Sequence, residues 1–451
     1  RPARLAAFQE GGEAFLALFG GPAAGDRLNT CPPRAGSGRL LDTAMPFFVF
    51  LRTNLRWLGA GLLLTFFSAF GQTYFISVFA GEIRAGFGLS HGEWGGIYTL
   101  GTTASALVMV WAGGLTDHFR VRVLAPIVLL LMTGACLFMA LNPVWWLLPL
   151  VIFTLRFTGQ GMMSHLAVVA MARWFIASRG KALSIATLGN AVGESLLPLI
   201  FVSLLIIHDW RVLWVAAAVM ALIGIPLLLL LLRRERTPQS WAQTSQSLGM
   251  DGRHWTRGQT LRHFLFWFMI PALLGPSAFN TAFFFHQVHI AEIKAISHVE
   301  LVAMFPLYTV VGIGAMVLSG WALDRLGTAR LLPFMQLPMV VAFTLFAFSE
   351  GPVMLILGFV FLALTTGANS TLPNAFWAEF YGTAHMGSIK AMAAAIMVFG
   401  SAIGPGLTGL GIDLGLGIEA QFLLIASYFI FTSVMMAIGV TRARPQLSLT
   451  P

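Results

Sequence analysis

Charge is what this chain lacks. Only 10% of its 451 residues are Asp, Glu, Lys or Arg, while 57% are hydrophobic, and the mean hydropathy is +0.81. Such values exclude an ordinary water-soluble domain and make the bilayer the solvent. Cysteine is nearly absent: Cys31 stands in a polar leader and Cys136 in an apolar run, so neither a disulfide framework nor a metal site is expected. There is no GxxxxGK(S/T) phosphate loop, no HExxH, no paired aspartates within apolar runs, and no serine–histidine arrangement at matched depth. An ATP-driven pump and an intramembrane enzyme therefore lose their chemistry, and no cofactor is expected. Acids are scarcer than bases, 18 against 27, for a net +9. The cations lie in short segments between apolar runs, which reads as orientation in a membrane and not as a nucleic-acid surface.

Residues 1–44 differ from all that follow. They are rich in Pro, Gly and small polar residues, contain no apolar stretch long enough to span, and read as disordered. Met45, followed by "PFFVFLRTNLRW", reads as a natural beginning of the membrane protein. What precedes it is then either an overlong reading frame or a dispensable cytosolic tail. A membrane-crossing helix needs roughly 20 mostly apolar residues. Twelve such stretches occur, near 55–80, 94–115, 123–141, 146–172, 181–206 and 210–232, then 263–288, 300–322, 329–349, 352–377, 387–411 and 419–441. The organisation expected is an all-α integral membrane protein: a six-helix bundle over 45–232, a cytoplasmic loop over 233–262, a second six-helix bundle over 263–441, and a short tail over 442–451. Outer segments hold only Arg84, Arg211 and Lys294, whereas the inner ones collect Arg52, Arg56, Arg120, Arg122, Arg173, Lys181, Arg325, Arg330, Lys390 and Arg442. The positive-inside rule then puts both termini in the cytoplasm.

The two halves repeat. "SAFGQTYFISVFAGEI" from Ser68 answers "SAFNTAFFFHQVHIAEI" from Ser277, "GGLTDHFRVR" from Gly113 answers "GWALDRLGTAR" from Gly320, and the pair Gly189/Gly193 answers Gly400/Gly404. Six plus six spans, with an acidic–basic loop after the second span of each half, resemble the major facilitator superfamily from about Trp57 to Val440. Its loop motif, roughly G-x-L-x-D-R-x-G-R-R, is matched by Gly320, Asp324, Arg325, Gly327 and Arg330, with Ala322 for the leucine. In the first half Gly113, Leu115, Asp117 and Arg122 match, but His118 replaces the arginine and Arg120 stands where a glycine is usual. An acid and several bases at a tight turn can bridge helices in one state and release them in the other, so Asp117, Arg122, Asp324, Arg325 and Arg330 are candidates for a conformational latch. The alternative is topology signalling with turn chemistry. The resemblance further implies alternating access and a monomer.

One charge is out of place. Trp145 and Trp146 mark the outer interface of the fourth span, and Arg156 lies ten residues further in, roughly 15 Å at helical rise. A lone arginine at that depth costs at least ~2.5 kcal/mol and must face a partner or a wet cavity. Glu194 on the fifth span lies at comparable depth, so the two are candidates for a pair. "RFTGQG" is similar to the family's fourth-span R-x-x-x-G-x-G with each glycine one residue early, and that arginine serves coupling or helix packing across many members. Three roles stay open for Arg156: a substrate-anion contact, a structural or gating pair with Glu194, or a proton-coupling element. "RWFIASRGKALSIATLGNAVGE", from Arg173, resembles the monocarboxylate porter and oxalate:formate antiporter branch, although the eighth span lacks the buried charge that animal monocarboxylate carriers place there.

Polar groups on spans one, four, seven and ten should line a central cavity if the family arrangement holds: Gln72, Thr73 and Tyr74; Gln160; Asn280 and Thr281; Thr365, Thr366, Asn369 and Ser370. Each taken singly is equally a satisfied interhelical hydrogen bond. Broken backbone is expected around "PALLGPSAFN" and "TTGANSTLPN". Gly189, Gly193, Gly400 and Gly404 let helices approach closely, and Pro198 and Pro405 should bend the fifth and eleventh spans, for packing or as hinges. His286 and His289, three apart near the outer end of the seventh span, suggest a gate or interface. The function expected is secondary active transport of a small solute across the bilayer, leaning to a carboxylate coupled to protons or exchanged, with Glu194 and Arg156 as coupling residues. The compact loops suit a bacterial inner membrane. Alternatives are an exporter of drugs or metabolites and, from another class, a non-transporting membrane sensor, for which the short loops leave little room.

Overall fold

The computed structural model describes residues 47–175, 178–233 and 248–447; the leader, residues 176–177, the middle of the central loop and the last four residues lie outside the described residues, as do the side chains of Phe47, Phe48, Asp117, His118 and Arg179. Two units are present: Arg1–Thr53, of which residues 47–53 are described and helical, and Asn54–Pro451, which holds all the packing discussed below.

Twelve helical spans follow in order. The first is Phe47–Ser68, continued past a break by Thr73–Ile76 and Ala80–Phe87; then come His91–Ala112, Val121–Leu141, a fourth built of Leu148–Arg156, Phe157–Met163 and Ser164–Trp174, then Arg179–Leu205 and Trp210–Leu231. The second half runs Phe264–Phe285 with an outer extension Gln287–Ile293, Phe305–Leu326, Leu337–Ala347, Pro352–Tyr381, Met386–Asp413 and Ile418–Ala443. By length and apolarity alone, nine of the helices among the described residues could cross a membrane, or ten with the bent first span. The second span is diluted by Gly, Thr and Ser, and the fourth is divided by a π-helical segment. Both departures bear on the site.

The sequence repeat is a packing repeat. The second span packs on the fourth as the eighth does on the tenth, and the third on the sixth as the ninth on the twelfth. Between halves, the second packs on the eleventh and the fifth on the eighth. The outer loops repeat as well: "SHGE" at Ser90 and "SHVE" at Ser297 each form a capping box, with serine and glutamate satisfying orphan amides at the helix start. At the outer ends of the seventh, ninth and twelfth spans, Lys294 Nζ donates to Glu419 (2.5 Å) and to the Ala347 carbonyl (3.0 Å).

The seventh and tenth spans do not break where the sequence suggested. Both stay helical, with Pro271 and Pro276 inside one and Pro373 inside the other. Proline at 276 removes the hydrogen bond to the carbonyl four residues back, Ala272. Gln336 Nε2 of the ninth-span region donates to that carbonyl (2.5 Å), and Thr432 Oγ1 fixes Gln336 through its Oε1 (2.6 Å). Because a neighbour takes the freed carbonyl, the helix has no reason to unwind.

Candidate functional site

The real break lies in the first span. Gln72 is extended (φ −89°, ψ 154°), so the helical ladder stops at Gly71 and restarts at Thr73. A break at membrane depth orphans backbone carbonyls, each costly unless something donates to it. Arg156 Nη1 donates to the Gly71 carbonyl (3.2 Å) and to Thr73 Oγ1 (3.3 Å), Thr73 and Tyr98 share a 2.5 Å hydrogen bond, and the guanidinium lies 5.4 Å from the Tyr98 ring centroid. Its side chain is wholly buried. Gly71 and Gly159 let this happen: a Cβ on Gly71 would strike the Leu155 carbonyl and Gly159 Cα, and one on Gly159 would strike Gly71. The π-helical turn Phe157–Met163 thus carries Gly159 against the break while Arg156, just before it, caps it. Among the described residues Arg156 and Glu194 form no ion pair, and the arginine is committed to the backbone of its own half.

At the same depth, polar groups of the two halves face one another. Tyr74 donates to Asn190 Oδ1 (3.2 Å) in the first half. In the second, Asn280 Nδ2 (3.2 Å) and Tyr308 Oη (3.1 Å) donate to Thr366 Oγ1, which donates to the Leu362 carbonyl (3.1 Å). Glu194 lies near enough to both Tyr74 and Tyr308 for its charge to act on them. Its carboxylate is partly exposed and has no hydrogen bond or ion pair among the described residues. On the inner side of this cluster a cavity of about 260 Å³ is lined by Ser277, Asn369, Asn374, Trp377 and Lys390, among others.

A family model for the Major Facilitator Superfamily matches residues 61–405 and also 288–450. The chain belongs to the major facilitator superfamily. It is a multi-pass integral membrane protein of a transporter family. Its fold is similar to that of the nucleoside transporter NupG, at 14% identity and a TM-score of 0.67 over 86% of this chain and 98% of that one. It is likewise similar to a bacterial homolog of the human lysosomal transporter Spinster in an inward-facing and occupied conformation, at 14% identity and a TM-score of 0.62 over 90% and 96% of the two chains. No curated protein matches it in sequence.

This facilitator is closed on its outer side. Gln287 of the seventh span donates to the Tyr74 carbonyl (3.2 Å), just past the break, and to Ser77 Oγ (2.7 Å). Thr99 donates to the Ala402 carbonyl (2.7 Å). Asp413, the last residue of the eleventh span, accepts from Ser90 Oγ (2.6 Å), Gly92 N (2.8 Å) and His91 N (3.2 Å), so it caps the start of the second span from across the halves. A carboxylate at a helix N-terminus also meets the positive end of its dipole. Loss of such a cap costs about 0.5–2 kcal/mol. Asp413→Ala should therefore shift the closed-to-open ratio at the outer face by roughly 2- to 30-fold. Faster alkylation of a cysteine placed at Thr99 would report it; an unchanged rate would show that the cap does not hold the gate.

Other candidates divide. Gln72 and Gln160 are partly exposed with no side-chain hydrogen bond among the described residues, and Asn369 lines the cavity. Thr281 instead donates to Ser277 O of its own helix (2.6 Å). Gly189 and Gly404 sit at equivalent seams, where a Cβ would strike the Leu62 and Ala278 carbonyls; Gly193 and Gly400 lie against the same two spans. Pro198 and Pro405 lie inside their helices. In the latch, Gly327 turns the chain at φ +75°, a conformation that suits glycine. Arg325 stacks on Trp321 (4.4 Å), Arg122 donates to the Arg233 carbonyl (3.4 Å), and Asp324 and Arg330 are exposed. The Asp117 side chain lies outside the described residues. Asn190, Tyr308, His91 and Asp413 were not anticipated. Scarcity was the available signal for Tyr308: the chain has 5 tyrosines against 38 phenylalanines, so a hydroxyl on an aromatic ring within a span needs a reason.

Proposed function

We propose that this facilitator is a proton-coupled secondary transporter of a small organic acid, working by alternating access as a monomer in a bacterial inner membrane, with Glu194 as the group that takes the proton. One observation carries the reading: a partly exposed carboxylate at mid-depth, within electrostatic reach of Tyr74 of one half and Tyr308 of the other, with no hydrogen bond or ion pair among the described residues. Ionised, such a group costs at least about 2.5 kcal/mol. It therefore takes a proton when sealed from water and gives it up when wetted.

The solute is held by amides and hydroxyls at the interface, Gln72, Gln160, Asn280, Thr366 and Asn369, after entering past Lys390. With Arg156 committed to the backbone, Lys390 is the cation that lines the cavity. The likeness of residues 173–194 to the monocarboxylate and oxalate:formate branch supports the same substrate class. Asp117, Arg122, Asp324, Arg325 and Arg330 close the inner face when the outer one opens. The glycine rows of spans five and eleven, with Pro198 and Pro405 in the same helices, let those spans shift against spans one and seven within each half.

The test is proton movement in proteoliposomes holding a pH-sensitive dye, with monocarboxylates, dicarboxylates, amino acids, nucleosides and lipophilic cations added in turn. Nucleosides belong in the panel because NupG shares the fold. Proton entry driven by organic acids supports the proposal. Proton exit driven by cations would instead identify an exporter, in which Glu194 holds the cation itself.

A further inference from the structure

We infer that the outer gate is a proton-operated switch, opened by acid on the outer side through two imidazoles, His91 and His289, packed between the halves beside a third, His286. The inference concerns the gate alone and stands apart from the role given to Glu194. His91 begins the second span, while His286 and His289 stand at the outer end of the seventh. The ring centroids of His91 and His289 are 4.3 Å apart, and those of His91 and His286 are 6.0 Å apart. His286 Nε2 donates to the Pro405 carbonyl (3.0 Å), which ties the seventh span to the eleventh where that helix packs on the second. Trp94 and Phe285 line the same cleft as the rings, and the space left between them, about 10 Å³, has room for at most one water.

The charged groups facing the rings are Arg84 from the outer arm of the first span, Glu292 on the seventh-span extension and Asp413 on the eleventh. The two acids only partly offset the cost of a proton added at the His91–His289 contact, which burial and Arg84 oppose. Asp413 is exposed and already accepts from Ser90, His91 N and Gly92 N. Glu292, 3.8 Å from His289 Nδ1, can pair with that ring when it is protonated, but its own side chain is largely solvated, which weakens the pair. Arg84 is a cation already, and its buried Nε has no partner. An imidazolium here would face a second ring and a guanidinium with its access to water much reduced, so the closed gate favours neutral rings. Parting the halves wets them and restores ordinary proton affinity near 6.5. The open gate thus binds more protons than the closed one, and acid must favour it. Taking that open value, acidification from pH 7.5 to 5.5 shifts the closed-to-open ratio by about tenfold for each ring involved.

The experiment is double electron–electron resonance in lipid nanodiscs, on full-length protein with Cys31 and Cys136 replaced and spin labels at Ala85 and Leu414, exposed at the outer ends of the two halves. Without solute, a longer distance should grow in from pH 7.5 to 5.5 and vanish when His91→Gln and His289→Gln are combined. The growth should persist in Glu194→Gln. An identical distribution at both pH values overturns the inference, as does a response that survives in the double variant. Loss of the response in Glu194→Gln would also overturn it, moving the sensor to mid-membrane while leaving proton-coupled transport standing. Should the double variant not purify as a single species, His289→Gln alone, at a partly exposed ring, must reduce the response by about half on a logarithmic scale; an unchanged response overturns the inference.

Discussion

Glu194→Gln is expected to cut proton-driven accumulation by at least about tenfold while leaving solute exchange and thermal stability close to wild type. Glutamine has the shape of the protonated acid and can donate and accept beside Tyr74 and Tyr308, so the solute still meets the surface it meets in the loaded state. It cannot release a proton, and the ion gradient no longer drives the cycle. Because the carboxylate has no partner among the described residues, its removal orphans nothing and relieves an unpaired charge. Counterflow at equal pH on both sides should proceed near the wild-type rate, and uptake driven by an inward proton gradient should fall to the background of exchange. A tenfold loss corresponds to about 1.4 kcal/mol of coupling. Wild-type proton uptake per solute in the variant would remove Glu194 from the mechanism. Loss of counterflow together with uptake would make it a binding residue instead.

The fold was legible because its signals are periodic and repeated. Apolar runs of bilayer length, cations on one side and offsets near 209 between halves each depend on many residues, so no single substitution blurs them. The midplane was legible only in part. Arg156 and Glu194 were conspicuous by charge and depth, but the direction in which a side chain points at a given depth depends on backbone that apolar spacing does not reveal. Two backbone irregularities decided it: the break at Gln72 and the π-helical turn after Arg156. Neither contains a proline, whereas the prolines that did suggest breaks, Pro276 above all, sit in a helix whose freed carbonyl a distant Gln336 satisfies. That compensation is tertiary and leaves no local mark. The gate was missed for a similar reason, since Asp413 and Ser90 are 323 residues apart. The paired "SHxE" boxes were nonetheless present in the sequence, and the first of them places His91 at the interface.

Arg156 decides how the first span is read, and its replacement should show a structural signature. Arg156→Gln is expected to lower the melting temperature by roughly 3–8 °C and to reduce transport of every substrate alike, without a selective rise in KM for anions. Losing the guanidinium withdraws a charge-assisted hydrogen bond, worth about 1.5–3 kcal/mol, from the Gly71 carbonyl and removes a desolvated cation–π contact with Tyr98 of about 2 kcal/mol. Relief from burying a charge offsets part of that, leaving a net loss of about 2–4 kcal/mol. Arg156→Lys keeps the charge but not the planar group that reaches Gly71, Thr73 and the Tyr98 ring together, so it should fall between the two. Gly159→Ala tests the same joint from the other side: it leaves every charge in place, but its Cβ meets Gly71 and forces the break away from the fourth span. If Arg156 acts as a brace, Gly159→Ala and Arg156→Gln will share one phenotype, instability with transport lost for all solutes. If Arg156 instead holds the substrate, Gly159→Ala will keep anion selectivity while Arg156→Gln loses it at unchanged melting temperature.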